Sequence, residues 1–469
     1  MRLPRRHHAR ARLRGAALMA MLVIMVMGIS AMLISSLSAA RLKNARQKAT
    51  SSALAQAKEA LVSYAVTYGD THTGQVHGYL PCPDIDGKDI SGNSAEGSTK
   101  LSCGAKNVSS IGRLPWKTLE LPALRDGDGE CLWYAIAGNY KNNPKTDLMN
   151  WDNNGLFEIL DASGATIAQN VAAVVFTPGS ALGSQSRAPD GTAPVCGGNY
   201  TASNYLDSAA VSDIANAISQ FRLGASAQMN AQINDQMIFI TRDDIFNAIM
   251  RRSDFADPAR NPLRLMARRA AECIADYGRR NNAGMADKRL PWPGILFDPA
   301  EDYWTSGNYD DESGLLSGRL PFRVNASDSA TSNMIVSPHY QLKSDGSNCP
   351  GVPEWPAYYP WWANWKDHLF YALADSFKPG GGSAACGVCL TVNGTGAHAA
   401  VVAFSGKKLA GQTRASGADR LNFANYLEGR NFTNHPNIPG NGDYQSGTET
   451  DSFNDVLYCI KPDLTVAPC

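Results

Sequence analysis

Catalytic signatures are missing from this sequence. It holds no Gly-x-Ser-x-Gly, no His-Glu-x-x-His and no Walker loop; Ser405-Gly-Lys-Lys lacks both the upstream glycine and the closing Ser/Thr. The corresponding hydrolase elbows, zincin helices and phosphate loops are excluded, and no catalytic residue, metal or cofactor is assigned. An excess of one charge is missing too, with 43 basic residues against 43 acidic ones. Without the six arginines of residues 1–15 the remainder stands near −6, which argues against nucleic acid as a partner, since that needs a basic footprint.

Charge is also missing from Gly15 to Ala40, GAALMAMLVIMVMGISAMLISSLSAA. Arg2, Arg5, Arg6, Arg10, Arg12 and Arg14 precede this run, and Arg41, Lys43, Arg46 and Lys48 follow it. A helix needs roughly 20 apolar residues to cross a bilayer, so the run predicts a transmembrane helix. The arginines would keep its start in the cytoplasm, giving a single pass through an inner membrane with the C-terminal bulk periplasmic. A cleaved secretory signal and a plain uncleaved anchor are the other readings, although a signal's apolar region is usually shorter.

At Arg14-Gly15-Ala16-Ala17-Leu18 a basic leader ends in Gly and apolar sequence begins at once. With the helical pattern continuing beyond the run, this junction resembles the prepilin N-terminus of type IV pilins and pseudopilins. The resemblance implies cleavage after Gly15 and N-methylation of Ala16 by prepilin peptidase. It also implies assembly with other pilin or pseudopilin subunits at the inner membrane. Most pilins carry a Glu five residues into the mature chain, whereas that position here is Ala20. The departure favours a low-copy or tip subunit over a major pilin.

Ten cysteines, all beyond residue 80, form an even set that reads as disulfides in an exported chain. Pairing does not follow from sequence, because ten cysteines allow roughly 945 connectivities. Cys82 and Cys103, separated by a Gly- and Ser-rich loop, are the first candidates, and Cys386-Gly-Val-Cys389 is either structural or a redox pair.

From Leu42 onward, Ala45, Ala49, Ala53, Ala57, Leu61, Tyr64 and Tyr68 mark one apolar helical stripe that Gly69-Asp70 should end. Beyond it the chain repeats itself. Glu59–Tyr64 matches Glu272–Tyr277, Leu80-Pro-Cys-Pro matches Leu290-Pro-Trp-Pro, and Arg113-Leu-Pro-Trp matches Arg319-Leu-Pro-Phe. Leu132–Ile136 matches Leu369–Leu373, Val174-Val-Phe matches Val401-Val-Ala-Phe, Asn204-Tyr-Leu matches Asn425-Tyr-Leu, and Met237–Ile240 is replaced by Val456–Ile460. Seven matches in one order predict a duplication with a period of roughly 210–235 residues. The Leu-Pro-Cys-Pro-Asp segment also resembles a subgroup of large pilin-like proteins.

The expected class is α+β: a basic leader (1–15), a transmembrane and stem helix (16–68), and pilin-like modules at 69–256 and 257–469. Each module would be a helix packed on an antiparallel sheet. Asn261 and Pro262 suit a helix start.

Remaining chemistry is sparse. His72 and His77 sit in a Gly/Thr loop without a third ligand nearby and read as solvated, and Asp126-Gly-Asp-Gly-Glu130 reads as a turn that lacks the rest of a calcium loop. Trp355, Tyr358, Tyr359, Trp361, Trp362 and Trp365 form the densest aromatic cluster. It is either a partner-binding surface or packing between modules. The leading expectation is a non-enzymatic minor pilin or pseudopilin-like subunit, low-copy or at the tip, extracellular once in a filament. The alternative is a single-pass anchored periplasmic or extracellular enzyme or binding protein that does not polymerise; a Ser/His/Asp cluster in the fold would favour it.

Overall fold

A computed structural model describes residues 12–89, 91–145, 148–161, 163–207, 220–223, 233–281, 288–299, 306–325, 341–380, 386–435 and 441–469. The basic leader's Arg2, Arg5, Arg6 and Arg10 lie outside the described residues.

Helix α1 (Arg12–Thr71) opens the chain. Its predicted stripe holds only in part. Ala53, Leu54, Ala57, Leu61, Ala65 and Tyr68 are buried at the three-to-four spacing of one helix face, but Leu42 is 56% exposed and Ala45 and Ala49 are exposed as well. The helix is buried in the fold from Thr50 on, and just before it Arg46 pairs with Asp128 at 3.3 Å and Gln47 donates to Gln236 at 3.4 Å.

A six-stranded sheet covers that buried face. It comprises β1 (Ser110–Arg113), β2 (Trp133–Ile136), β3 (Phe157–Leu160), β4 (Thr166–Thr177), β5 (Gln220–Arg222) and β6 (Gln236–Thr241). The order is β1-β2-β4-β3-β5, with β6 on the second side of β4. The central strand's end, Val171-Ala-Ala-Val-Val-Phe176, is wholly buried, because a strand covered on both faces needs apolar residues at every position rather than at alternate ones. Two short helices, α2 (Arg242–Met250) and α3 (Ser253–Ala256), then lead to α4 (Pro262–Asn281). Asn261 caps α4 as expected, its Oδ1 accepting from the Leu263 and Arg264 N–H groups at 2.9 and 3.3 Å.

The second half follows as β7 (Ser317–Arg319), α5 (Trp355–Trp365), β8 (Leu369–Leu373), β9 (Leu390–Val392), β10 (Thr395–His398), β11 (Ala400–Phe404), β12 (Asp443–Tyr444), β13 (Val456–Ile460) and β14 (Val466–Pro468). Its main sheet runs β14-β13-β11-β8-β7, with α4 packed on β11, β13 and β14. Strands β1-β2-β4-β6 and β7-β8-β11-β13 thus carry the same antiparallel order on segments already matched by sequence.

Details of the backbone repeat as well. Asp84 and Arg113 exchange both N–H···O bonds, and so do Gly294 and Arg319 at the matching positions. In each copy a glycine makes this exchange possible. A Cβ on Gly112 would lie 2.4 Å from the Asp84 carbonyl oxygen, and one on Gly318 would lie 2.5 Å from that of Gly294.

Two expectations are corrected here. Among the described residues no helix is long and apolar enough to cross a membrane, which goes against the transmembrane helix and the single-pass inner-membrane placement. Past the predicted span of Gly15 to Ala40, α1 carries Arg41, Lys43, Arg46, Lys48, Lys58, Glu59 and Asp70, and charges at that density keep its second half out of hydrocarbon. The plan of a transmembrane and stem helix followed by antiparallel-sheet modules therefore fails. The sheets themselves are mixed: β3 pairs with β5 in parallel, as β9 does with β12, because crossover connections return the chain in its original direction.

All ten cysteines are paired. Cys82–Cys103 and Cys131–Cys196 lie in the first half; Cys273–Cys349, Cys386–Cys389 and Cys459–Cys469 lie in the second.

Candidate functional site

The two halves meet along a seam where chemistry-bearing side chains concentrate. Helix α5 supplies one wall of it. Trp355, Trp362 and Trp365 are buried, whereas Tyr358, Tyr359 and Trp361 are half-buried. Trp361 packs 5.6 Å from both His77 and Phe255, and Trp365 lies 6.0 Å edge-on to Trp151. Most of the aromatic cluster is thus consumed by packing inside the molecule, since large rings gain most when covered.

His77 belongs to this seam and is not a solvated loop residue. It is buried, it accepts from the Gly69 N–H at 3.2 Å, and burial followed by the charge of Arg252 pushes its pKa down to about 4. His72 instead stacks on Tyr68 at 3.9 Å. Among the described residues no group of three His, Cys, Asp or Glu side chains is placed to hold a metal.

Deeper in the seam lies a constellation that no local sequence signal announced. Asp152 follows Trp151 in the first half, while His368 precedes β8, Ser405 follows β11 and Arg414 lies in the loop beyond. His368 Nδ1 is 3.0 Å from Ser405 Oγ, and its Nε2 is 3.0 Å from Asp152 Oδ2, although the ring N–H is not well aligned with that carboxylate. Arg414 Nη1 donates to His368 Nδ1 at 3.3 Å and to Asp152 Oδ2 at 3.5 Å.

Ser, His and Asp side by side invite a hydrolase reading, and three observations go against it. Ser405 and His368 are 0% exposed, so no substrate reaches the hydroxyl. A neighbouring cavity of about 120 Å³ is lined by Phe404 and Gly406 on either side of Ser405 but not by Ser405, whose side chain alternates to the opposite face. Finally, an arginine does not give up its proton, so its bond to Nδ1 occupies the lone pair a general base would use. Burial, with Arg414 adding to it, lowers the His368 pKa despite Asp152. For Asp152 burial acts upward, but the bonds and charges of His368 and Arg414 outweigh it and hold the carboxyl below its usual range. A neutral imidazole clamped between a carboxylate and a guanidinium is a fastener between halves. Asn364 fastens them again, accepting from the Met149 N–H at 2.8 Å while its own carbonyl accepts from Asn150 Nδ2 at 2.8 Å.

Each half also contains a buried arginine held between aromatic faces. The Arg113 guanidinium lies 5.7 Å from the Trp133 ring and 5.2 Å from Tyr205; Arg319 lies 4.3 Å from Phe370 and 4.6 Å from Tyr426. These are the repeated positions of the two sequence copies, and stacking on ring faces offsets part of the desolvation of each cation.

The Asp126-Gly-Asp-Gly turn serves structure. Asp126 accepts from the Asp128, Glu130 and Gly179 N–H groups at 2.9–3.0 Å, and the Gly127 N–H donates to Thr50 Oγ1 at 2.9 Å, clasping α1 where it enters the fold. Gly15 and Ala16 lie within the span of α1. Cys386 and Cys389 are joined to each other on a loop before β9, and among the described residues no βαβ unit surrounds them. No family model, no curated protein and no solved structure matches this chain.

Proposed function

We propose that this chain is a non-enzymatic, low-copy subunit of a type IV pilus-like or type II secretion-like filament, joined to other subunits through α1. One observation carries the reading. Along the apolar run of α1, Met21, Leu22, Val23, Met25, Val26 and Met27 are all exposed. A helix apolar on every side is stable only when covered on every side, and a bundle of α1 helices from neighbouring subunits supplies that cover. Two modules on one leading helix are bulky for a closely stacked shaft, which favours a place at a filament's end. The paired cysteines fit export to an oxidising compartment.

Met25→Cys tests the assembly, because all native cysteines are paired. The full chain should form a disulfide-linked dimer under mild oxidation, and a purely monomeric product would sink the proposal. Processing is tested by N-terminal sequencing. The mature chain should begin at Ala16, and Gly15→Val should abolish that start.

A further inference from the structure

A second opening lies along the seam, apart from the Asp152 fastener. The loop after α1 (Gly74–Tyr79) and Lys145 form one wall, and Pro356, Tyr359 and Pro360 of α5 form the other, around a cavity of about 540 Å³. That volume falls in the range of small-molecule sites, which are typically apolar clefts at domain junctions with a few placed polar groups. Both walls are mainly apolar here: Val76 and Tyr79 face Pro356, Tyr359 and Pro360.

Lys145 is the exception. Its ammonium lies 5.4 Å from the ring centroids of both Tyr68 and Tyr79, cradled by aromatic faces. Among the described residues that line the cavity it is the one charged side chain. Burial lowers the pKa of this lysine, so its charge is incompletely solvated and gains by meeting an anion. The amide of Asn364, also at the lining, is already engaged with Met149 and Pro360.

From this arrangement we infer that the cleft binds a ligand with a flat apolar body and one carboxylate, the body between Tyr79 and Tyr359 and the carboxylate on Lys145. The chemistry is shared by a free aromatic carboxylic acid and by the free C-terminus of a peptide ending in an aromatic residue. A phosphate-bearing ligand fits less well, since a dianion would meet a single cation.

The test is calorimetric titration of the full chain with 3-phenylpropionate, with its amide, and with acetyl-Gly-Gly-Phe as free acid and as C-terminal amide. Saturable binding of the phenylpropionate alone identifies a free acid as the source, and tighter binding of the peptide acid identifies a chain end; either supports the site. Each acid should bind at least tenfold more tightly than its amide. Lys145→Gln should weaken the acids by about ten- to a hundredfold, as expected for losing a hydrogen bond to a charged group. Lys145→Arg should retain binding, and a melt of each variant checks the fold. Equal binding of acid and amide, unchanged binding by Lys145→Gln, or no saturable binding of either acid would each overturn the inference.

Discussion

Removing the Asp152 carboxylate is the sharpest probe of how the two halves are held. In Asp152→Ala, Arg414 keeps a side chain only 1% exposed but loses its only carboxylate partner seen among the described residues. Breaking one side of a buried ion pair costs about 3–5 kcal/mol, because the remaining charge stays desolvated. Arg414 retains acceptors in the carbonyls of Asn425 and Gly406 and in Gln412 Oε1, and His368 is free to remain neutral, so the lower end, about 3 kcal/mol, applies. The double variant Asp152→Ala/Arg414→Met removes both charges and should cost clearly less than the sum of the two single changes. Urea unfolding of the full chain at neutral pH, followed by tryptophan fluorescence, measures this. With the fastener gone the melt should also split into two transitions, since each half has its own sheet and its own helix. A loss below about 0.5 kcal/mol with a single unchanged transition would refute the fastener, as an exposed pair of that worth is a surface pair.

Acid should destabilise the protein through its buried histidines. His77 and His435 have folded pKa values of about 4, each lowered chiefly by burial, while unfolded imidazoles titrate near 6.5. Between those values the unfolded chain binds more protons, so stability is complete above pH 6.5 and is lost as pH falls toward 4, by roughly 3 kcal/mol per histidine. A melting temperature flat from pH 7 to 4 would contradict this, and His435→Asn should reduce the slope. Leu61→Ala, at a fully buried position of α1, should cost about 3 kcal/mol in the urea transition of the first half, and a change under about 1 kcal/mol would mean α1 is not seated as described. Gly112→Ala and Gly318→Ala should each cost about 1–3 kcal/mol, because the added methyl meets backbone that is held by paired hydrogen bonds. Equal tolerance of both in thermal melts would deny the close approach.

Local sequence made the matched segments visible because each carries its own signal. Prolines fix the Leu-Pro turns, and runs such as Val174-Val-Phe and Val401-Val-Ala-Phe announce strands covered on both faces. The Cys82–Cys103 bridge closes a short loop, so nearness in sequence stood in for nearness in space. The other long-range partners gave no such sign. Asp152 and His368 come from opposite halves, and neither lies in a motif. His77 sits among glycines and threonines, where composition says loop, yet the ring is covered by Phe255 and Trp361 from elements far along the chain. The parallel pairs β3–β5 and β9–β12 depend on crossovers whose direction periodicity does not encode. The stripe on α1 misled in its first half for a related reason. Period shows that a face is apolar, and only the fold shows where its cover begins.

Arg252 gives the molecule a mechanical grain. Its guanidinium grips the end of α1, donating to the Val66 carbonyl at 2.9 Å and to both oxygens of Asp70 at 2.6 and 3.0 Å, and it also holds Asp254 in α3. Tension applied along α1 would be borne first by the seated side chains of the first half and by the Lys58–Asp244 pair. It would then pass through this arginine into the connector and α4, and across the seam through Asp152 and Asn364. The second half is loaded only by way of the first, so under traction the first half should fail while the second keeps its shape.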